Sequence, residues 1–136
     1  MIKTDIQIRF SDIDMLGHVN NIVLQNYYDL GKMQYFTDVL GFPPLWRDEA
    51  FIVVNNSNDY FEEVRVTDAV YVTTRIEKIG TKSITFVQEI VSSVTHKVKS
   101  RSRSILVGFD LNKRVGIEVR PELKLMIEEH EGEQRA

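Results

Sequence analysis

A chain of 136 residues with 43% hydrophobic and 27% charged side chains has the size and composition of one soluble domain that buries its core without staples. The absence of cysteine excludes a thiolate nucleophile, a disulfide framework and a thiolate-bound zinc, and a net charge of −3 gives no general attraction for nucleic acid or anionic lipid. No apolar run approaches the ~18 residues of a membrane span, and Met1 to Asp5 lack the features of a secretory signal, so the expected setting is the cytoplasm.

Residues 4–11 alternate, with Ile6, Ile8 and Phe10 on one face and Asp5, Gln7 and Arg9 on the other, which predicts a first half-buried strand. After a turn containing Gly17, residues 21–40 carry Val23, Tyr27, Leu30 and Met33 at helical spacing. Leu24, Tyr28, Tyr35 and Phe36 broaden the apolar face. Asn20 or Asn21 can cap this helix, and Gly41 with Pro43 and Pro44 ends it. Residues 50–109 are rich in β-branched and aromatic side chains and broken by short polar turns, which predicts four more strands with antiparallel neighbours. Pro121 to His130 predicts a terminal helix, followed by a frayed tail over residues 131–136. The expected unit is a single α+β domain over residues 1–136, in which an antiparallel sheet covers one long helix. Uncovered edge strands favour self-association.

The chain lacks the serine-hydrolase elbow, both glycine-rich phosphate loops and the zinc-protease helix motif, so carboxylates and histidines remain as candidate chemistry. Their densest cluster is Asp12, Asp14, His18, Asn20 and Asn21, between the first strand and the helix. Asp and Asn are also ordinary turn and cap residues, and spacing alone leaves Asp14 open between turn former and catalyst. As metal ligands, Asp12, Asp14 and His18 would leave a shell incomplete, so no metal is expected. A carboxylate just before a helix N-terminus suits acyl transfer, because the terminal N–H groups can polarise a carbonyl on which the acid acts.

The run Arg9-Phe10-Ser11-Asp12-Ile13-Asp14, then Gly17-His18-Val19-Asn20-Asn21, then Leu24 and Tyr27-Tyr28-Asp29, resembles the 4-hydroxybenzoyl-CoA thioesterase group of hotdog-fold acyl-CoA thioesterases. Weaker matches are Asp59-Tyr60, Thr67-Asp68, Ile79-Gly80 with Ser83 and Phe86, and Val107 to Asp110. The resemblance implies a hotdog fold with a five-stranded antiparallel sheet around one central helix. It also implies hydrolysis of an acyl-CoA thioester by Asp14, as nucleophile or general base, with the Asn21 N–H polarising the carbonyl. An ordinary aspartate, with a pKa near ~3.9, is ionised and competent for either role at neutral pH. Asp12 is expected to organise the loop, His18 to orient Asp14 or support the turn, and Asn20 to cap the helix or touch substrate. The chain departs from the group at Glu63 and Thr67, where proline and glycine are common.

Lys97, Lys99, Arg101 and Arg103 project from one face of a strand; solvated or edge-protecting charge accounts for most of them, and one or two remain for the phosphates of coenzyme A. Arg65 and Lys82 are further candidates. Tyr27, Tyr28, Phe36 and Trp46 offer apolar lining for an acyl pocket at a partner subunit, or plain core packing. The expected assembly is a homodimer or homotetramer, with no cofactor beyond the coenzyme A of the substrate. A thioester on acyl carrier protein, a hotdog hydratase or dehydratase, and a non-hydrolytic acyl-CoA-binding module are the competing readings.

Overall fold

The computed structural model describes residues 1–41 and 48–135. In chain order the elements are β1 (Ile2–Asp5), α1 (Asn21–Asp38), β2 (Glu49–Tyr60), β3 (Val70–Ile79), β4 (Ser83–Ser92), β5 (Val98–Asp110), β6 (Val115–Ile117) and α2 (Pro121–Arg135). The sheet runs β1-β3-β4-β5-β2 with every pairing antiparallel, and β6 adds beside β5. Five strands were expected; the sixth has three residues, too few to show a period. It pairs Ile117 with Gly108, extending the sheet just past the point where β4 begins at Ser83.

The first strand is shorter than residues 4–11. Its alternation persists through half-buried Ile6 and Ile8, but Phe10 is 89% exposed, because the chain leaves the sheet there in a 3₁₀ turn over Phe10–Asp12. The helix begins where expected. Asn20 caps it by accepting from the N–H of Ile22 at 2.8 Å, and Gly41 follows at a φ of 71°, a conformation that favours glycine. Pro43 and Pro44 lie outside the described residues.

Leu24, Tyr27, Tyr28, Gly31, Lys32, Tyr35 and Phe36 form the buried face of α1, whereas Leu30 and Met33 remain 49% and 44% exposed. Gly31 marks the closest approach to the sheet. A Cβ there would lie 2.5 Å from Thr74 Oγ1, 2.8 Å from Gln88 Nε2 and 2.9 Å from Val72 Cγ1. Two apolar clusters flank that point. One joins Tyr35, Phe36, Ile84, Phe86 and Leu106 to Leu123 and Ile127 of α2. The other joins Val19, Leu24, Tyr27 and Tyr28 to Val64, Val70, Val72 and Ile90, and so holds the start of α1 against the sheet. Each large side chain so buried contributes about 1.5–3 kcal/mol.

The tail expected to fray at residue 131 is instead part of α2, which continues to Arg135. Glu131 is buried and accepts from Tyr35 Oη at 2.7 Å and from the N–H of Ile76 at 3.0 Å, beside the irregularity in β3 between Ile76 and Lys78. A carboxylate thus closes a gap in the sheet's own ladder. No helix among the described residues is long and apolar enough to cross a membrane. An antiparallel sheet packed around one long helix is the α+β, hotdog-like fold that the resemblance implied.

Candidate active site

The loop before α1 is built by its two aspartates in different ways. Asp12 faces inward: its Oδ2 accepts from the N–H of Arg9 at 3.0 Å and from Tyr27 Oη at 2.5 Å, tying the 3₁₀ turn to the helix. Burial, and then this carboxylate, raise the pKa of Tyr27. Asp14 opens a tight turn that His18 closes. The N–H of Asp14 donates to His18 O at 2.9 Å, and that of Gly17 to Asp14 O at 3.0 Å, with Gly17 at a φ of 82°. Asp14 Oδ1 accepts from the N–H of Leu16 at 2.9 Å, which fixes the carboxylate's direction. The chain then returns to the body of the protein. Val19 donates to Val64 O at 2.7 Å and Asn20 to Asp12 O at 2.9 Å, so the helix start is locked to both strand-side segments.

These bonds bring Asp14, His18 and Asn21 to one cavity of about 340 Å³, whose opposite wall is Tyr60 to Val64 at the end of β2. The N–H of Asn21, the first helical residue, has no acceptor within the helix, whereas that of Ile22 is taken by the Asn20 cap. The cavity is therefore lined by a carboxylate and by the first residue of an 18-residue helix, at the helix's positive end. His18 Nε2 stands 3.4 Å from Glu63 Oε2, and Arg65 grips the same carboxylate, donating from Nε at 3.0 Å and again from Nη2. Arg65, and then His18, hold the Glu63 carboxyl below its ordinary pKa. Among the described residues no three histidine, aspartate or glutamate side chains gather as a metal site.

The sequence profile of the Thioesterase-like superfamily matches residues 8–127, a span that includes the whole Asp14 loop, α1 and the sheet beyond β1. The chain belongs to that superfamily. No curated protein matches it. Among solved structures it is similar to a predicted thioesterase from Bacillus stearothermophilus, with 25% identity, a TM-score of 0.83 and 94% of each chain covered. It is also similar to a thioesterase from Thermus thermophilus complexed with coenzyme A and Zn, at 24% identity and TM-score 0.81, covering 96% of this chain and 93% of that one. A third, a thioesterase superfamily protein from a Jannaschia species, shares 16% identity at TM-score 0.87 over 94% of this chain and 91% of that one. At such identities the last two likenesses carry the fold alone.

Within this Thioesterase-like chain the other sequence-derived candidates divide sharply by location. Asn20 is engaged as the helix cap. Tyr28 does not line the cavity: it is fully buried, donating from Oη to Ser100 Oγ at 2.6 Å, and its neighbours Tyr27 and Phe36 are core residues too. Trp46 lies outside the described residues. Arg65 and Lys99 line a second depression that shares Phe61, Glu62 and Glu63 with the first, but Glu62, Glu63 and Asp68 there outnumber the two cations. Arg101 and Arg103 do not line the cavity, although the Arg101 guanidinium lies 5.6 Å from the ring of Phe61, which does. They lie on the outer face of the sheet, where Arg101 donates to Glu89 at 2.7 Å and Arg103 to Glu77 at 3.1 Å, so these two cations of the stripe are spent in cross-strand pairs. Lys82 sits at the start of β4, and the second helix-side cluster meets that strand near its other end, about 25–30 Å away at ~3.3 Å per residue. The wall from Tyr60 to Val64 was the part that sequence reasoning undervalued. Its signals were the weak Asp59-Tyr60 match and the departure at Glu63, the residue that meets His18.

Proposed function

We propose that this protein hydrolyses acyl-CoA thioesters to a free acid and coenzyme A, as a member of the 4-hydroxybenzoyl-CoA thioesterase group, with Asp14 as its catalytic carboxylate. The observation that carries this reading is the cavity lined by both Asp14 and Asn21, the first residue of α1. A thioester carbonyl seated there accepts from the Asn21 N–H, which stabilises the oxyanion as it forms. Asp14 then either attacks the carbonyl carbon and expels the coenzyme A thiolate, leaving an anhydride that water cleaves, or takes a proton from a water whose oxygen attacks that carbon and expels the same thiolate. His18, fixed by the turn and faced by Glu63, supports the carboxylate's loop. The coenzyme A held by the Thermus thermophilus thioesterase supports a coenzyme A ester as the substrate class. Arg65, which lines the adjoining depression beside Lys99, is the cation assigned in this reading to its phosphates.

Self-association belongs to the same proposal. Among the described residues the edge strand β2 pairs only with β5 and exposes Ile52, Val53 and Val54, an apolar run on an open edge that a second copy would cover.

The test is thiol release from a panel of acyl-CoA substrates by the wild type and Asp14→Asn. Loss of about 100-fold or more in kcat/KM is expected for the variant, within the range for a positioned acid or base. Equal rates would remove Asp14 from the mechanism, and micromolar acyl-CoA binding without turnover would make the protein a binding module.

A further inference from the structure

Glu63 lines the Asp14 cavity at a position where the group that the chain resembles commonly carries proline, so the contacts of its carboxylate are not ones the resemblance implies. Its two oxygens have different partners. Oε1 accepts from Arg65, through Nε at 3.0 Å and again through Nη2, and Oε2 stands 3.4 Å from His18 Nε2. The backbone beneath is fixed from two sides: Lys99 Nζ donates to Glu63 O at 3.0 Å, and the N–H of Val19 to Val64 O at 2.7 Å. Arg65 is anchored in turn, since its N–H donates to Asp68 Oδ2 at 2.8 Å and its carbonyl accepts from the N–H of Asp68 at 3.0 Å. Glu63 thus offers His18 a carboxylate whose place is set by the wall. With Arg65, and then His18, holding that carboxyl below its ordinary pKa, it stays ionised across the neutral range.

The turn on the other side of the cavity is held less firmly. Met15 and Leu16 at its tip are 99% and 74% exposed, so packing contributes little there. The bonds from Asp14 N–H to His18 O and from Gly17 N–H to Asp14 O fix the turn's shape but not its distance from the wall. Among the described residues two polar contacts join this end of the turn to the wall, the Val19–Val64 backbone bond and the approach of His18 to Glu63. The first ties the chain after the turn. The second ties His18 itself, the residue whose carbonyl closes the turn on Asp14. A contact between side chains 36% and 40% exposed adds little to folding stability. What it can set is geometry, because an ångström's displacement of a catalytic group costs up to about 100-fold in rate.

We propose that Glu63 is a positioning residue: it holds His18, and through His18 the Asp14 turn, at a fixed separation from the Tyr60 to Val64 wall, and so sets the width of the cavity in which the thioester is bound. The proposal rests on the thioesterase reading of Asp14, whose carboxylate reaches the carbonyl only if the turn keeps that separation.

The experiment is a double-mutant cycle on thiol release with Glu63→Gln, His18→Asn and the two combined, using the acyl-CoA ester that the wild type turns over fastest. Glu63→Gln keeps the wall's shape and removes the charge. On its own it should lower kcat about 10-fold, between the few-fold worth of an exposed ion pair and the roughly 100-fold of a displaced catalytic group, with KM changed by less than about 2-fold. In the His18→Asn background the same change should have no further effect, because Glu63 acts through His18. Equal losses in the two backgrounds, or no loss from Glu63→Gln alone, overturn the proposal. Amide hydrogen exchange at Gly17 and Val19 reads the turn without turnover. Glu63→Gln should speed it about 5-fold while the urea midpoint stays that of the wild type. Unchanged exchange, or faster exchange matched by a lower midpoint, rejects the positioning role. If the wild type hydrolyses no ester, the thioesterase reading fails, and the exchange rates still decide whether Glu63 holds the turn.

Discussion

Asp12 and Asp14 are two residues apart and of one chemical type, yet their surroundings give them different work. Asp12 accepts from a backbone N–H and a buried phenol, so both its position and the loop's are fixed from below. Asp14 spends Oδ1 on the turn and faces the cavity. The same logic governs the tyrosines. Tyr27, Tyr28 and Tyr35 are each buried, and burial is the first cause that raises all three pKa values, reinforced at Tyr27 by Asp12 and at Tyr35 by Glu131. A raised folded pKa means that the folded state holds the proton more tightly. Their contribution to stability is therefore complete below the ordinary phenol value near ~10 and is lost as pH rises above it. Three of the five tyrosines should thus resist ionisation in an ultraviolet alkaline titration until the protein unfolds, and a smooth titration of all five in the folded state would contradict the packing described.

The helix α1 was legible in sequence from its cap and its apolar spacing, but which apolar residues face inward was not. Leu30 and Met33 fit the pattern as well as Tyr35 does, and only the position of the sheet distinguishes them. Gly31 is the sharper case, since a glycine inside a helix normally reads as a weakness. Here it lets α1 approach Thr74 and Gln88, both fully buried and bonded to each other at 3.0 Å. Gly31→Ala gains about 1 kcal/mol of helix propensity, but the overpacking costs about 1–3 kcal/mol. The net expectation is a lower midpoint in urea denaturation with an unchanged slope. A stabilised variant would show that the sheet yields more easily than its packing implies. At the other end of the chain, residues 131–136 read as a frayed tail, because nothing local announces that Glu131 meets Tyr35 and the backbone of β3.

For the whole molecule the open question is what covers β2. Among the described residues its outer edge is unpaired, and it carries Ile52, Val53 and Val54 at 37, 50 and 55% exposure, a surface suited to a second copy. Sedimentation should therefore give a mass of at least two chains, and Val54→Lys should shift it toward one, since a lysine on an open edge opposes strand addition. A monomeric wild type would refute the assembly.

Composition and local pattern by themselves determined the type and order of every helix and strand except the three-residue β6, because periodicity, caps and turn residues act within a few positions of each other. They also marked the loop from Asp12 to Asn21 as the place for chemistry. The tertiary structure decided the rest: that Tyr60 to Val64 form the far wall, that Arg101 and Arg103 pair with Glu89 and Glu77 on the far face of the sheet, and that Tyr28 is core. Each of these depends on strand register and on contacts between residues far apart in the chain. A one-residue bulge such as that after Val53 changes which side chains face inward, and no local pattern in β2 announces it.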